Sequence, residues 1–350
     1  MKITGVKAIY PKWQHLPEGV WQSHFWQIIV EIRTDQGTIG LGYGGGGQPA
    51  VEIINTHYKE LLIGRHLSNT DDIESIWNNI YFNSIPYGRT GIPIMALSAV
   101  DIALWDLLAK AQSIPVYELL GGITKSKVRA YASSNNFERE KDAGFTAVKF
   151  STTWNRDVHG YEYAESIASK ARSVFGRDAL IMADCYMSWD REIAINMAKV
   201  MSPHNLYWFE DVLTPNHLVE LSEIRPIIKP ILLAGGEHEF SHHGFSSIAK
   251  NHSMDIWQPD LTWCGGFTAG KRIIEIASKY GISVVPHRGG EIWGLHFIAA
   301  TSCDNLAETH PDRWLTNSDK LWLDEPIPQY GYLSVPDRPG FGVTLNEQML

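Results

Sequence analysis

The hydrophobic rhythm of the chain changes near residue 128, and the change divides it into two kinds of structure. Before that point residues 2–10 and 24–33 (HFWQIIVEIR) alternate apolar and polar positions, the period of half-buried strands. Asp35-Gln36-Gly37 predicts the turn of a hairpin, and TIGLGYG the returning strand. Residues 49–63 and 71–81 predict helices, and residues 93–111 repeat apolar side chains at helical spacing with Asp101, Asp106 and Lys110 on the polar side. A strand meander followed by a helix cluster predicts an α+β module.

Beyond residue 128 short apolar runs alternate with helical ones. The predicted strands are VRAYAS, TAVKFS, ALIMADC, LYWFE, PILLAGGE, DIWQPD, ISVVPH and a last one near NLAE. Helices are predicted over 164–174, 191–201, 270–280 and 293–301, and the one after the first barrel strand is expected to be short. Eight strands with helices between them predict a closed parallel α/β barrel with right-handed crossovers. The turn-rich tail after Glu308 is expected to fold back onto the first unit. The predicted units are residues 1–128, 129–322 and 323–350.

At 350 residues the chain has room for a barrel of about 250 residues and a smaller domain. Its 44% apolar content and 13 Trp predict a large core. No uninterrupted run of about 18 apolar residues occurs, so no membrane partner is expected. The opening MKITGVKAIYPKW reads as an alternating strand and not as a signal peptide. Three Cys far apart suit a reducing cytoplasm. A net charge of −9 with scattered basic residues argues against nucleic acid.

Three carboxylates then change the picture. Asp184, Glu210 and Glu237 lie 26 and 27 residues apart, each at the end of an apolar run (LIMADCY, NLYWFED, ILLAGGE). That spacing matches one strand plus one helix, so all three are expected on the same rim of the barrel. Converging negative charges repel strongly unless a divalent cation lies between them, and an all-oxygen set without Cys selects Mg²⁺, with Mn²⁺ as substitute. The plainer reading, acidic helix caps, accounts for one such residue better than for three in register.

Asp260 ends DIWQPD and His287 ends ISVVPH one unit later, so an Asp–His general-base pair is expected beside the metal ligands. Lys149, in TAVKFS, is expected to hold a substrate carboxylate oxygen. Glu308, at the eighth strand, could donate a hydrogen bond to a developing oxyanion if burial keeps it protonated. These groups suit removal of a proton next to a carboxylate, through an enediolate that a divalent ion stabilises.

With those residues and with ALSAVDIALWDLLAKAQSIPVYELLGG, MADCYMSWD, DIWQPDLTWCGGFT, VVPH and RPGFGVTLN, the chain resembles the enolase superfamily. Within it the chain is most similar to the mandelate-racemase-like acid-sugar dehydratases, and closest to the L-rhamnonate dehydratase branch. The resemblance covers nearly the whole length and implies a (β/α)7β TIM-type barrel with an α+β capping domain completed by the C-terminal tail. It implies one Mg²⁺ per subunit on Asp184, Glu210 and Glu237, the dyad Asp260–His287, and Glu308 as the carboxylate-activating glutamate. It also implies a homo-oligomer.

Where many relatives carry Lys-x-Lys on the second strand, this chain has Lys149-Phe150-Ser151, which leaves a single base. One base is expected to take the C2 proton of a sugar acid and return a proton to the leaving C3 hydroxyl on the same face, giving a 2-keto-3-deoxy acid. The segment PKWQHLPEGVWQSH is shorter than the corresponding loop of that branch, and the segment after His287, Arg288-Gly289-Gly290-Glu291-Ile292-Trp293, departs from its His-Gly-Ser-Ser pattern, so a related sugar acid is expected. A cycloisomerase or epimerase using the same enediolate, and a non-catalytic sugar-acid-binding protein, are the alternatives.

Arg288 is expected to contact a distal substrate group or to form a surface ion pair. His238, after the third carboxylate, and His15, in the first loop beside Trp13, Trp21 and His24, are further candidates for the substrate pocket. Gly44–Gly47 lacks the Lys-Ser/Thr of a phosphate loop and reads as a flexible segment of the first unit.

Overall fold

A computed structural model describes residues 1–13, 19–152, 160–312 and 320–350. His15 therefore lies outside the described residues. The chain opens with an antiparallel meander of β1 (Ile3–Ile9), β2 (Ile28–Thr34) and β3 (Ile39–Gly44), with Val6 opposite Ile32 and Val30 opposite Gly42. One face of β3 is glycine, and the helix Ile92–Ala111 lies directly on it. A Cβ at Gly42 would sit 1.9 Å from the Ala99 carbonyl, and one at Gly40 2.2 Å from that of Ala103. The missing side chains are what allow helix and sheet backbones to touch.

That helix is apolar enough to cross a membrane, but 89% of its apolar window is buried inside the protein. Its polar side differs from the expectation. Asp101 and Asp106 are buried and hold other elements instead of facing water. Asp101 accepts from the Thr268 amide (3.0 Å) and hydroxyl (2.5 Å), while Asp106 accepts from the amides of Leu41 and Phe341 and pairs with Lys110.

The second unit contains β4 (Val128–Ser133), β5 (Ala147–Ser151), β6 (Leu180–Asp184), β7 (Trp208–Glu210), β8 (Leu232–Gly235), β9 (Ile256–Trp257), β10 (Ser283–Val284) and β11 (Leu306–Thr309). Parallel ladders run in chain order from β4 to β10, and β11 joins β4 with Glu308 opposite Tyr131. Across the remaining gap the Asp304 amide donates to the Val284 carbonyl (2.9 Å). Among the described residues seven α-helices separate the eight strands, so the (β/α)7β barrel is present.

A layer of side chains, Tyr131, Ala147, Met182, Trp208, Ala234, Ile256, Val285 and Leu306, fills the middle of the barrel, one from each strand or its end. Large Trp208 on β7 lies between strands that contribute Met182 and Ala234, a variation of sizes that packs a barrel solid. Beneath such a floor the chemistry is confined to the rim.

Strands β9 and β10 are shorter than predicted, so Asp260 and His287 each lie three residues past a strand end. Pro259 and Pro286 explain this, since neither can donate to a ladder. The run Gly44–Gly47 is a packing device and not a flexible segment: the Gly47 amide donates to Trp26 O (2.9 Å), and a Cβ there would meet the His24 carbonyl at 2.0 Å. Finally, Tyr332–Leu333 pairs with β4, while Gly340 donates to Ile114 O (3.0 Å) and Lys12 to Met349 O (2.9 Å). The tail thus touches both units.

Candidate active site

The C-terminal strand ends of the barrel enclose a cavity of about 680 Å³. Its lining includes Glu237, His238, Trp263, His287 and Arg288 from the barrel and Trp13, Trp21, Trp26 and Tyr43 from the first unit. Parallel register explains the convergence of acids at its base: Asp184 pairs with Glu210, and Glu210 with Ala234.

Lys149, on the neighbouring β5, reaches into this group. Its ammonium is bonded to Glu210 Oε1, lies 2.7 Å from Glu308 Oε1 and 3.4 Å from Asp184 Oδ2, and is almost entirely buried. Burial alone would make Lys149 lose its proton, but Glu210, Glu308 and Asp184 outweigh that and hold it protonated. Glu210 is further fixed by Trp208 Nε1 (3.0 Å) and Gln258 Nε2 (2.7 Å) on Oε2.

Glu237 turns the other way, with Oε1 3.2 Å from His238 Nε2 and Oε2 3.2 Å from His287 Nε2. Burial, opposed by Lys149 at the first and His287 at the second, pushes Glu210 and Glu237 each up to about 8. Buried carboxylates whose charge is only partly offset, beside Asp184 and without any thiol, have the donor chemistry that suits a hard divalent cation.

The dyad has the expected geometry. His287 Nδ1 lies 2.8 Å from Asp260 Oδ2 and leaves Nε2 facing Glu237 and the cavity. Burial disfavours the imidazolium, yet Glu237, Asp260 and Glu308 raise His287 to about 10. The Asp260 carboxylate is nearly inaccessible; burial opposes its charge, and Arg288 and His287 overrule it, keeping it ionised.

Thr262 donates to Asp260 Oδ1 from both its amide and its hydroxyl (2.7 Å each). The Thr262 hydroxyl also accepts from Gln27 Nε2 at 3.4 Å, and Trp263 Nε1 donates to Gln27 Oε1 at 3.2 Å. The first unit is thereby tied to the dyad.

Two expectations need correction. Arg288 does line the cavity, but its guanidinium is buried, bonded to Asp260 and Thr262 and placed over the Trp263 ring, so it is not a surface pair. Glu308 is not kept protonated: burial would raise it, but Lys149 and His287 prevail, and it accepts from the Arg288 amide (2.9 Å).

His238 lines the cavity as expected and stacks on Trp263. Gln27, Gln258, Thr262 and Asp211 are site residues the spacing argument did not find. Asp211 had a signal in the doubled acid of WFED, and Thr262 in its position two residues after Asp260.

Comparison with known proteins bears on this geometry. Residues 133–349 match the family described as Enolase C-terminal domain-like, and residues 18–121 the Mandelate racemase / muconate lactonizing enzyme N-terminal domain. The chain belongs to the enolase superfamily. Within the superfamily it is 32% identical to the L-rhamnonate dehydratase of Saccharopolyspora erythraea, over 98% of this chain and 89% of that one.

Among solved superfamily structures, the rhamnonate dehydratase of Gibberella zeae complexed with Mg superposes with a TM-score of 0.90 at 30% identity, covering 99% of this chain and 95% of that one. The 3,6-anhydro-D-galactonate cycloisomerase of Zobellia galactanivorans superposes with a TM-score of 0.85 at 26% identity, covering 99% and 98%.

Proposed function

We propose that the protein is a Mg²⁺-dependent hydro-lyase that dehydrates an L-rhamnonate-like sugar acid to a 2-keto-3-deoxy acid. The observation that carries this reading is the His287–Asp260 pair at 2.8 Å, with Glu308 between His287 and the Lys149 ammonium that the acids of β6 and β7 surround. The rhamnonate dehydratase relatives support the same reaction.

In this reading Asp184, Glu210 and Glu237 hold Mg²⁺, which supplies Lewis-acid neutralisation of the substrate carboxylate as negative charge develops on it. His287 Nε2 takes the C2 proton while Asp260 fixes the ring through Nδ1. Only the neutral imidazole is a base, so the negative charge of Glu237 beside it must be balanced before the step. Lys149 places a permanent positive charge beside the enediolate oxygens. Glu308 keeps that ammonium in position and receives the Arg288 amide.

Ser151 stands where a second base would be, so His287 also returns the proton to the departing C3 hydroxyl, a syn elimination. His238 and Trp263 wall the sugar chain. The engagement of Arg288 by Asp260 favours an aldonate over a substrate with a second carboxylate.

The same reading includes an assembly of several copies, for which exposed Phe82, Ile85 and Tyr87 offer an apolar surface on the first unit. Sedimentation tests that point. Three free, buried cysteines fit a reducing compartment.

Incubating the protein with a panel of aldonic and aldaric acids and Mg²⁺, with NMR of the products, tests the reaction. A 2-keto-3-deoxy acid that vanishes with chelator is expected. A cyclised or epimerised product would reject dehydration.

A further inference from the structure

The hydrogen bonds around Glu210 limit what its carboxylate can offer an ion. Its Oε2 accepts from Trp208 Nε1 (3.0 Å) and from Gln258 Nε2 (2.7 Å), while Oε1 is bonded to the Lys149 ammonium. Each carboxylate oxygen has two lone pairs. Two donors therefore fill Oε2, and only Oε1 keeps a lone pair to spare.

The two donors are held for this contact inside the barrel. Glu210 and Gln258 are each 1% exposed, and Trp208 is fully buried. Gln258 directly follows β9, and its amide is held by Gly235 O (2.9 Å). Its side chain reaches past β8 to Glu210 on β7. There β8 has Ala234 opposite Glu210 and Gly235 opposite Trp257, residues too small to block the path.

The carboxylate also dictates how the Gln258 amide lies, since the reverse orientation would set Oε1 against a negative oxygen. Among the described residues that Oε1 accepts no hydrogen bond. A buried acceptor without a partner lowers stability, and an apolar side chain of similar size would avoid the loss. The amide is thus unfavourable for packing and useful for Glu210.

We propose that Gln258, together with Trp208, is a positioning residue that restricts Glu210 to one ligating oxygen and so favours Mg²⁺ over Ca²⁺. Mg²⁺ demands near-octahedral geometry from single oxygens, whereas Ca²⁺ takes about six to eight and accepts both oxygens of one carboxylate. Pinning Oε2 withdraws the bidentate option that the larger ion uses. The inference rests on the proposed reading of Asp184, Glu210 and Glu237 as the ligand set, and on no other part of that reading.

Electron paramagnetic resonance of Mn²⁺ bound to metal-free, full-length protein, with Mg²⁺ and Ca²⁺ as competitors, tests it. The wild type is expected to release Mn²⁺ at lower Mg²⁺ than Ca²⁺ concentration. Gln258→Met frees Oε2 and should weaken Mn²⁺ binding by roughly 10–100-fold, the usual loss when a group that orients a metal ligand is removed. It should also shift the ratio of the two competing concentrations toward Ca²⁺ by about tenfold. Trp208→Phe removes the other donor, keeps a large ring, and should move the ratio the same way. Damage to the barrel alone would weaken all three ions together and leave the ratio in place. A wild-type ratio in both variants overturns the proposal alone. A wild type that binds no Mn²⁺ overturns the ligand reading and the proposal with it.

Discussion

Arg288 Nε donates to Asp260 Oδ2 over 3.0 Å, onto the same oxygen that His287 Nδ1 approaches at 2.8 Å. Two cations therefore divide one buried carboxylate. Without the guanidinium, the full charge of Asp260 would favour the imidazolium, and the neutral base would appear only at higher pH. Arg288→Met is expected to move the acid limb of the kcat/KM profile upward. It should also cost about 3 kcal/mol of stability, because a buried charge loses a partner. An unmoved limb would show that Arg288 does not tune the dyad.

Lys149 answers three carboxylates at once, so its loss cannot be local. Lys149→Met is expected to lower kcat by roughly 10²–10³-fold, the loss typical of one preorganised charge stabiliser. Steady-state kinetics at saturating Mg²⁺ checks this. A change confined to KM would reduce Lys149 to a binding contact.

Asp101 joins the long helix of the first unit to the barrel helix Gly266–Tyr280. Burial, against the bonds from Thr268, raises it from 3.8 to about 7. The folded state thus holds a proton that the unfolded chain releases above about pH 4. Its contribution is complete below that point and is lost as pH rises toward about 7. Urea unfolding should show wild-type stability falling by up to about 1.4 kcal/mol per pH unit across that window. Asp101→Asn should flatten the slope, and parallel profiles would contradict the assignment.

Gly42→Ala tests the contact of β3 with the helix. Its methyl group would collide with the Ala99 carbonyl, a backbone atom that cannot turn away. A loss of about 1–3 kcal/mol or more is expected in thermal unfolding. A neutral outcome would mean that strand and helix can separate freely.

What could be read in the sequence was set by period. The spacing of Asp184 and Glu210 carried their placement, since both end strands in a parallel ladder. Glu237 fell two residues past its strand after Gly235-Gly236, which let its side chain face two histidines instead of Lys149. Period cannot say where a long side chain goes. Arg288, at φ +51°, bends back onto Asp260. Glu308 was expected to be neutral from burial alone, and the ammonium of Lys149 reverses that. Glycines at 40, 42 and 44 read as an ordinary strand because only the partner helix reveals why they lack side chains. Gln27 is 235 residues from Thr262 in the chain, so no local pattern could have joined it to the dyad.

The most direct measurement replaces His287 by Asn in the otherwise intact protein and follows turnover of an accepted aldonate together with Mn²⁺ binding. The account predicts that 2-keto-3-deoxy product falls below detection while Mn²⁺ still binds. Turnover at the wild-type rate by His287→Asn would contradict it.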